Sequence, residues 1–232
     1  MIEGNGDPDL RALALDAYGT LFDVHSVIAA CEVAFPSRGE ALSQLWRAKQ
    51  LEYTWLLSLM GRHEDFWAVT DKALSFACHS LGLSCDTATH TRLLEGYYHL
   101  SAYPEVPAVL ARLAASHKLV ILSNGTPRML AAVADSAGLT EVFNELISVE
   151  AVGVFKPSPR VYGLLPQRLG LPLEAIGFVS SNAFDITGAK AFGLWTCWAN
   201  RQDTAPDGLG YAPDVTVRTL SGLADRLAPG TA

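Results

Sequence analysis

The chain has 232 residues, half of them apolar and 18% charged, with a formal net charge of −7 at neutral pH. That length suits one α/β domain with a sizeable core, or a core with an inserted subdomain. The negative balance argues against nucleic acid or an anionic membrane surface as a general partner, so an anionic substrate would have to be drawn by a local cluster of cations.

Four cysteines (Cys31, Cys78, Cys85 and Cys197) form no CxxC pair and no regular framework. They read as reduced thiols of a cytoplasmic protein. The start, MIEGNGDPDLR, has no apolar signal core, and no apolar run reaches membrane-spanning length. The histidines show no HxxxH or HExxH spacing, which argues against zinc, and there is no Walker loop, GxGxxG or GxSxG.

Taken in chain order, the first element is the apolar run ALAL at 12–15, which ends in Asp16 and reads as a buried strand. A helical block follows. ALSQLWRAKQLEYTWLLSLMG, HEDFWAVTDKALSFACHSLG and DTATHTRLLEGYYHL carry helical patterns, and residues 24–99 hold no convincing strand. Beyond residue 100, strands and helices alternate. PEVPAVLARLAASH precedes the strand KLVIL, and PRMLAAVADSAG precedes LISV at 146–149. IGFV leads into Ser180 and AFDITGAKAFG, followed by LWTCW at 194–198 and DVTV at 214–217. The helical patterns at 127–138 and 183–193 each stop at a glycine, the usual left-handed terminator.

Such alternation predicts an α/β fold, a Rossmann-like doubly wound parallel sheet with helices on both faces. The block at 24–99 then reads as an inserted helical cap over the strand ends, leaving a core of residues 1–23 and 100–232. The tail from Leu227 is expected to fray.

Polar groups gather where strands end. Asp16, Ser123 with Asn124, and Ser180-Ser181-Asn182 each follow an apolar run, and in an open parallel sheet the carboxyl ends share one edge. Lys156, in VFKPSPRVY at a helix start, and Asp185, three residues past Asn182, can face the same edge. Each residue alone has a plainer reading: a turn cap, a loop polar group, a solvated lysine. Together, a carboxylate, a hydroxyl, a lysine and a second carboxylate make a plausible reactive site.

DAYGTLFDVHSV, LSNGTPRML, FKPSPRVY and FVSSNAFDITGAKAFG, in this order, resemble the four motifs of the haloacid dehalogenase superfamily. The details are similar to its type II branch, the L-2-haloacid dehalogenases, and the likeness spans roughly residues 10–200, including LWRAKQLEYTW. Within the superfamily, phosphoryl transfer needs an acid two positions after the nucleophilic aspartate and Mg²⁺ to neutralise charge. Tyr18 stands at that position, and a phenol is a poor Mg²⁺ ligand near neutrality. The fourth motif offers Ser180, Ser181 and Asn182 rather than an acidic pair. Carbon–halogen displacement instead asks for a carboxylate nucleophile, a halide cradle and donors for the substrate carboxylate.

The resemblance implies these roles. Asp16 displaces halide and forms an aspartyl ester, and Thr20 holds it. Lys156 lowers the pKa of Asp16, Asp185 anchors Lys156, and Ser180 and Asn182 orient the lysine or the hydrolytic water. Arg47 on a cap helix binds halide with Asn124 and Phe184, Ser123 receives the substrate carboxylate, and Tyr162 supports the site. Tyr18, Leu51, Phe66 and Phe184 line the pocket, although such aromatics are often simple core. Ala48 and Phe184 stand where some relatives carry a longer polar side chain and a tryptophan, which bears on substrate size.

The expectation is a hydrolase that uses no metal and no cofactor and converts short L-2-haloalkanoates to D-2-hydroxyalkanoates, its partners being substrate, halide and water. A phosphatase or phosphonate hydrolase, or a non-catalytic small-anion binder on this fold, are the alternatives. A homodimer could form through the apolar helix around Leu56–Met60, which a buried cap core would explain equally well.

Overall fold

The computed structural model describes residues 9–228. The expectations that fall on residues 1–8 and 229–232, about a signal core and a frayed end, lie outside the described residues. The apolar run before Asp16 forms β1 (Ala12–Leu15), buried at all four positions. A strand covered on both faces belongs in the interior of a parallel sheet.

The chain then builds α1 (Ile28–Ala34), α2 (Gly39–Leu59), α3 (Phe66–Ser80) and α4 (Thr87–Glu95). No strand lies between residues 24 and 99. Aspartates set two of these helix starts: Asp65 accepts the Ala68 N–H at 2.8 Å and Asp86 the Thr89 N–H at 2.7 Å. Each satisfies a donor that the first helical turn leaves free.

Strand and helix alternate from there through α5 (Val106–Ala114), β2 (Lys118–Ser123), α6 (Pro127–Ser136), β3 (Glu145–Ser148) and α7 (Pro159–Tyr162). The chain continues through α8 (Leu164–Leu169), β4 (Ile176–Ser180), α9 (Ala183–Phe192), β5 (Trp195–Ala199), β6 (Val215–Val217) and α10 (Leu220–Leu227). All six apolar runs are strands. The sequence pattern gives no sign of α1, α8 or α10. The first two are too short for an apolar face to repeat, and α10 runs through Leu227, where fraying was expected to begin.

The six strands are all parallel, in the order β3-β2-β1-β4-β5-β6. From β1 the chain moves outward to β3, then crosses back to place β4 on the other side of β1. That reversal opens a crevice at the carboxyl ends of β1 and β4. The buried core continues from Leu15 and Phe178 in the sheet to Trp46, Phe66 and Leu74 in α2 and α3. The helical segment therefore shares one core with the sheet. Among the described residues no helix is long and apolar enough to cross a membrane.

Candidate active site

Asp16 is the first residue past β1, and its N–H still donates to the Val179 carbonyl of β4 at 2.9 Å. Sheet pairing thus fixes its backbone while its side chain enters the crevice, where it is 5% exposed. The two carboxylate oxygens are treated differently. Oδ2 accepts from Asn182 Nδ2 at 2.8 Å, Thr20 Oγ1 at 2.9 Å and Ser180 Oγ at 3.4 Å. Oδ1 accepts from Lys156 Nζ at 3.1 Å.

Those donors are themselves held. Thr20 Oγ1 accepts the Ser181 N–H at 2.8 Å, and Ser180 Oγ accepts the Asn182 N–H at 3.1 Å. Asn182 Nδ2 also donates to the Tyr18 carbonyl at 3.1 Å. The loop after β4 and the loop after β1 are thereby fastened to each other around one carboxylate.

Lys156 Nζ reaches Asp185 Oδ2 at 2.8 Å as well as Asp16. Its backbone N–H donates to Asn124 Oδ1 at 3.1 Å, which ties the lysine to the loop after β2. Burial alone would favour neutral lysine, but the two carboxylates outweigh it and raise the Lys156 pKa above its ordinary value. Two carboxylates around one ammonium leave a surplus negative charge in the interior. Asp185 bears the consequence: burial first, opposed by Lys156 and reinforced by Asp16, pushes it up to about 6.

Tyr162, fully buried, donates to Asp185 Oδ1 at 2.7 Å and lies 3.1 Å from the Asp185 carbonyl. Burial and the neighbouring carboxylate push its phenol well above the ordinary range, so it remains a donor. α9 can approach it this closely because residue 188 is glycine. A Cβ there would stand 2.6 Å from the Tyr162 hydroxyl and 2.4 Å from Pro157 Cβ.

Ser123 closes β2, fully buried, with its Oγ accepting the Gly125 N–H at 3.1 Å and its own proton left to donate. Tyr18 packs its ring against Phe66 at 5.7 Å and Tyr97 at 6.2 Å, and its buried hydroxyl has no protein partner. A Cβ at Gly125 would come within 2.7 Å of that ring, so a bare backbone is needed there.

Arg47 arrives from α2. Its guanidinium donates to Gln50 Oε1 at 2.6 Å, to the Tyr18 carbonyl at 3.3 Å and to Asn182 Oδ1 at 3.5 Å. Leu51 borders a cavity shared with Arg47 and Asn182. Phe184 has its ring contact with Trp55 of α2, edge-on at 5.3 Å.

The candidates named from sequence gather at this crevice except Phe184, which faces Trp55 and an outer cavity along α9, and two further residues are tied to the group. Gln50, fully buried, links Arg47 to the Thr70 hydroxyl, 2.7 Å from Gln50 Nε2. Its position three residues past Arg47 is the signal that could have found it. Arg201 donates to the Thr20 carbonyl at 2.9 Å and pairs with Glu105 at 2.6 Å. It sits in a polar loop with no local pattern to single it out.

A buried carboxylate beside a lysine thus sits at the switch point of a parallel sheet, where open α/β folds carry their reactive groups. The match to the haloacid dehalogenase-like hydrolase family covers residues 10–193, and the chain belongs to that family. It is 49% identical over 217 residues to an (S)-2-haloacid dehalogenase of Pseudomonas sp. (strain YL), covering 93% of this chain and 94% of that one. It is 43% identical over 220 residues to haloacetate dehalogenase H-2 of Moraxella sp. (strain B), covering 94% and 98% of the two. The solved L-2-haloacid dehalogenase from Xanthobacter autotrophicus with chloropropionic acid covalently bound superposes with a TM-score of 0.87 at 42% identity. That superposition covers 96% of this chain and all of the other.

Proposed function

We propose that this protein is an (S)-2-haloacid dehalogenase, hydrolysing short L-2-haloalkanoates to D-2-hydroxyalkanoates and halide through an ester on Asp16. The observation that carries the reading is the uneven treatment of the Asp16 carboxylate. Oδ1 has a single donor and keeps a lone pair for attack on C2 of the substrate. Attack from the side opposite the halogen inverts that carbon and releases halide.

Once the ester has formed through Oδ1, Oδ2 is its carbonyl oxygen. Thr20, Ser180 and Asn182 then surround the atom on which negative charge develops when water adds to Cγ, the arrangement that lowers such barriers most. Collapse of that adduct expels the hydroxy acid with Oδ1 as its new hydroxyl oxygen, and water's oxygen stays in Asp16. Lys156 pairs with the carboxylate through Oδ1, and Asp185 and Tyr162 hold Lys156.

Arg47 receives the departing halide, with the Asn124 amide nitrogen beside it. Ser123 takes the substrate carboxylate, and Tyr18, Leu51 and Phe66 form the apolar wall. The donor set supports metal-independence: a buried phenol takes the place of a second acid beside Asp16. A phosphatase would need that second acid.

Residues 24–99 serve as the cap over a core of 1–23 and 100–232. Four free cysteines, three of them buried, suit the cytoplasm. The exposed Leu56 and Leu59 of α2, with Met60 just past its end, suit a homodimer. The test is a single turnover in ¹⁸O-water with enzyme in excess over L-2-chloropropionate and EDTA present. Label is expected in the peptide carrying Asp16 and not in the lactate. Label in the first-turnover product would make water the direct nucleophile, and loss of activity with EDTA would favour the phosphatase branch.

A further inference from the structure

Beside the crevice, one cavity joins Arg47 and Asn182 to residues the chemistry leaves unused. It has a volume of about 190 Å³ and lies between the loop after β1, α2 and the loop after β5. That is large enough for a small anion with part of its hydration. Arg47, Asn182 and Leu51 form its inner wall, and His25, Arg201 and Gln202 belong to the remainder. No carboxylate is among the described residues lining it.

Asn182 joins the cavity directly to the chemistry, because the same side chain donates to Asp16 Oδ2. Arg201 is a held cation: Glu105 takes one terminal nitrogen, the Thr20 carbonyl the other, and its guanidinium lies 3.7 Å from the Tyr103 ring centroid. Its Nε is buried without a partner, so the clamp leaves one donor unspent. A chain of net charge −7 repels anions in general, yet here it places two guanidinium groups on one cavity, the outer one paired with Glu105 behind the wall.

From this arrangement we infer that the cavity is an anion vestibule, through which a small monoanion passes between solvent and Arg47, and in which Arg201 is the outer cation. This rests on the dehalogenase reading, in which both the substrate and the released halide are monoanions. The effect is on encounter and release. Guanidinium donors on the cavity wall favour small anions locally, an effect that falls off with salt.

The test uses Gln202, which is exposed and makes no contact with Asp16. Gln202→Glu should raise KM for L-2-chloropropionate about two- to fourfold at low ionic strength with kcat unchanged, and Gln202→Lys should lower it. Both differences should vanish at high salt. Bromide supplies a probe that needs no turnover. Crystals soaked in sodium bromide should show an anomalous peak in the cavity, weaker in Gln202→Glu. A peak with unaltered kinetics in both variants would mean an adventitious ion only, and no peak would overturn the proposal outright. If the protein releases no halide from any haloacid, the dehalogenase reading fails, while the bromide peak still decides whether the cavity takes anions.

Discussion

Asp16, Lys156 and Asp185 come from three separate segments, none is more than 5% exposed, and each has at least two polar partners. Arg47 stands across the crevice, half-buried on a helix, and two of its three bonds are 3.3 Å or longer. The first region is fixed by sheet pairing and by ions that have little room to move. The second depends on where α2 sits over the sheet. Changes in the first should abolish function and cost stability, and changes in the second should tune rate and affinity while the fold survives.

The largest effect is expected at Lys156. Lys156→Met removes the one ammonium shared by two buried carboxylates. Breaking a buried pair in this way costs about 3–5 kcal/mol, because uncompensated charge remains inside. Chemical denaturation should show that loss, and turnover should fall below detection. A folded variant that retains a tenth of wild-type activity would mean the lysine is structural only.

Next comes Asp185, and here the sign matters. Its pKa is raised to about 6, so below that pH the native protein takes up a proton there and the anchor of Lys156 weakens. Activity should be half-maximal near pH 6, full well above it and declining beneath it. Asp185→Asn should give a low, flat profile across that range. Between about pH 4 and 6 the native state binds this proton more tightly than the unfolded chain does. The contribution of this group to stability therefore falls as pH rises through the window. Retention of the wild-type acid limb in Asp185→Asn would assign the limb to another group.

The same contrast explains what could be read from sequence. Strands buried on both faces appear as unbroken apolar runs, so ALAL, KLVIL and IGFV located β1, β2 and β4, and with them the edge where Asp16, Ser123 and Ser180 meet. Four motifs in order then linked those positions to Lys156 and Asp185. Arg47 had no such support, since an arginine on a helix is usually solvated. Arg201 escaped because Thr20 is distant in sequence and only packing brings them together, whereas Gln50 carried one local cue, its place three residues past Arg47.

Arg47→Lys sharpens the comparison. Lysine keeps the charge but cannot serve Gln50, the Tyr18 carbonyl and a departing halide at once from a planar fork. A loss of about ten- to a hundredfold in kcat is expected, with a smaller rise in KM, because charge on the halogen develops only in the transition state. Wild-type kinetics would place the halide elsewhere.

The smallest effect is expected at Gln50, which touches neither Asp16 nor the lysine. Its carbonyl oxygen accepts from Arg47 at 2.6 Å and its amide donates to Thr70, whose hydroxyl donates in turn to the Phe66 carbonyl at 2.6 Å. Gln50→Glu keeps the shape and the acceptor for Arg47 but replaces the donor to Thr70 with a buried carboxylate. An arginine held by an ion pair is less available to halide, so kcat should fall a few-fold. Gln50→Leu removes the acceptor altogether and leaves Arg47 free to swing. That variant should lose about 1–3 kcal/mol of stability from the unpaired groups left inside. Its kcat should fall further than that of Gln50→Glu, with a smaller rise in KM, because a misaimed Arg47 fails the halide as charge develops on it. A kcat loss graded in that order would identify Gln50 as the group that aims Arg47. Identical losses in both would reduce it to core packing.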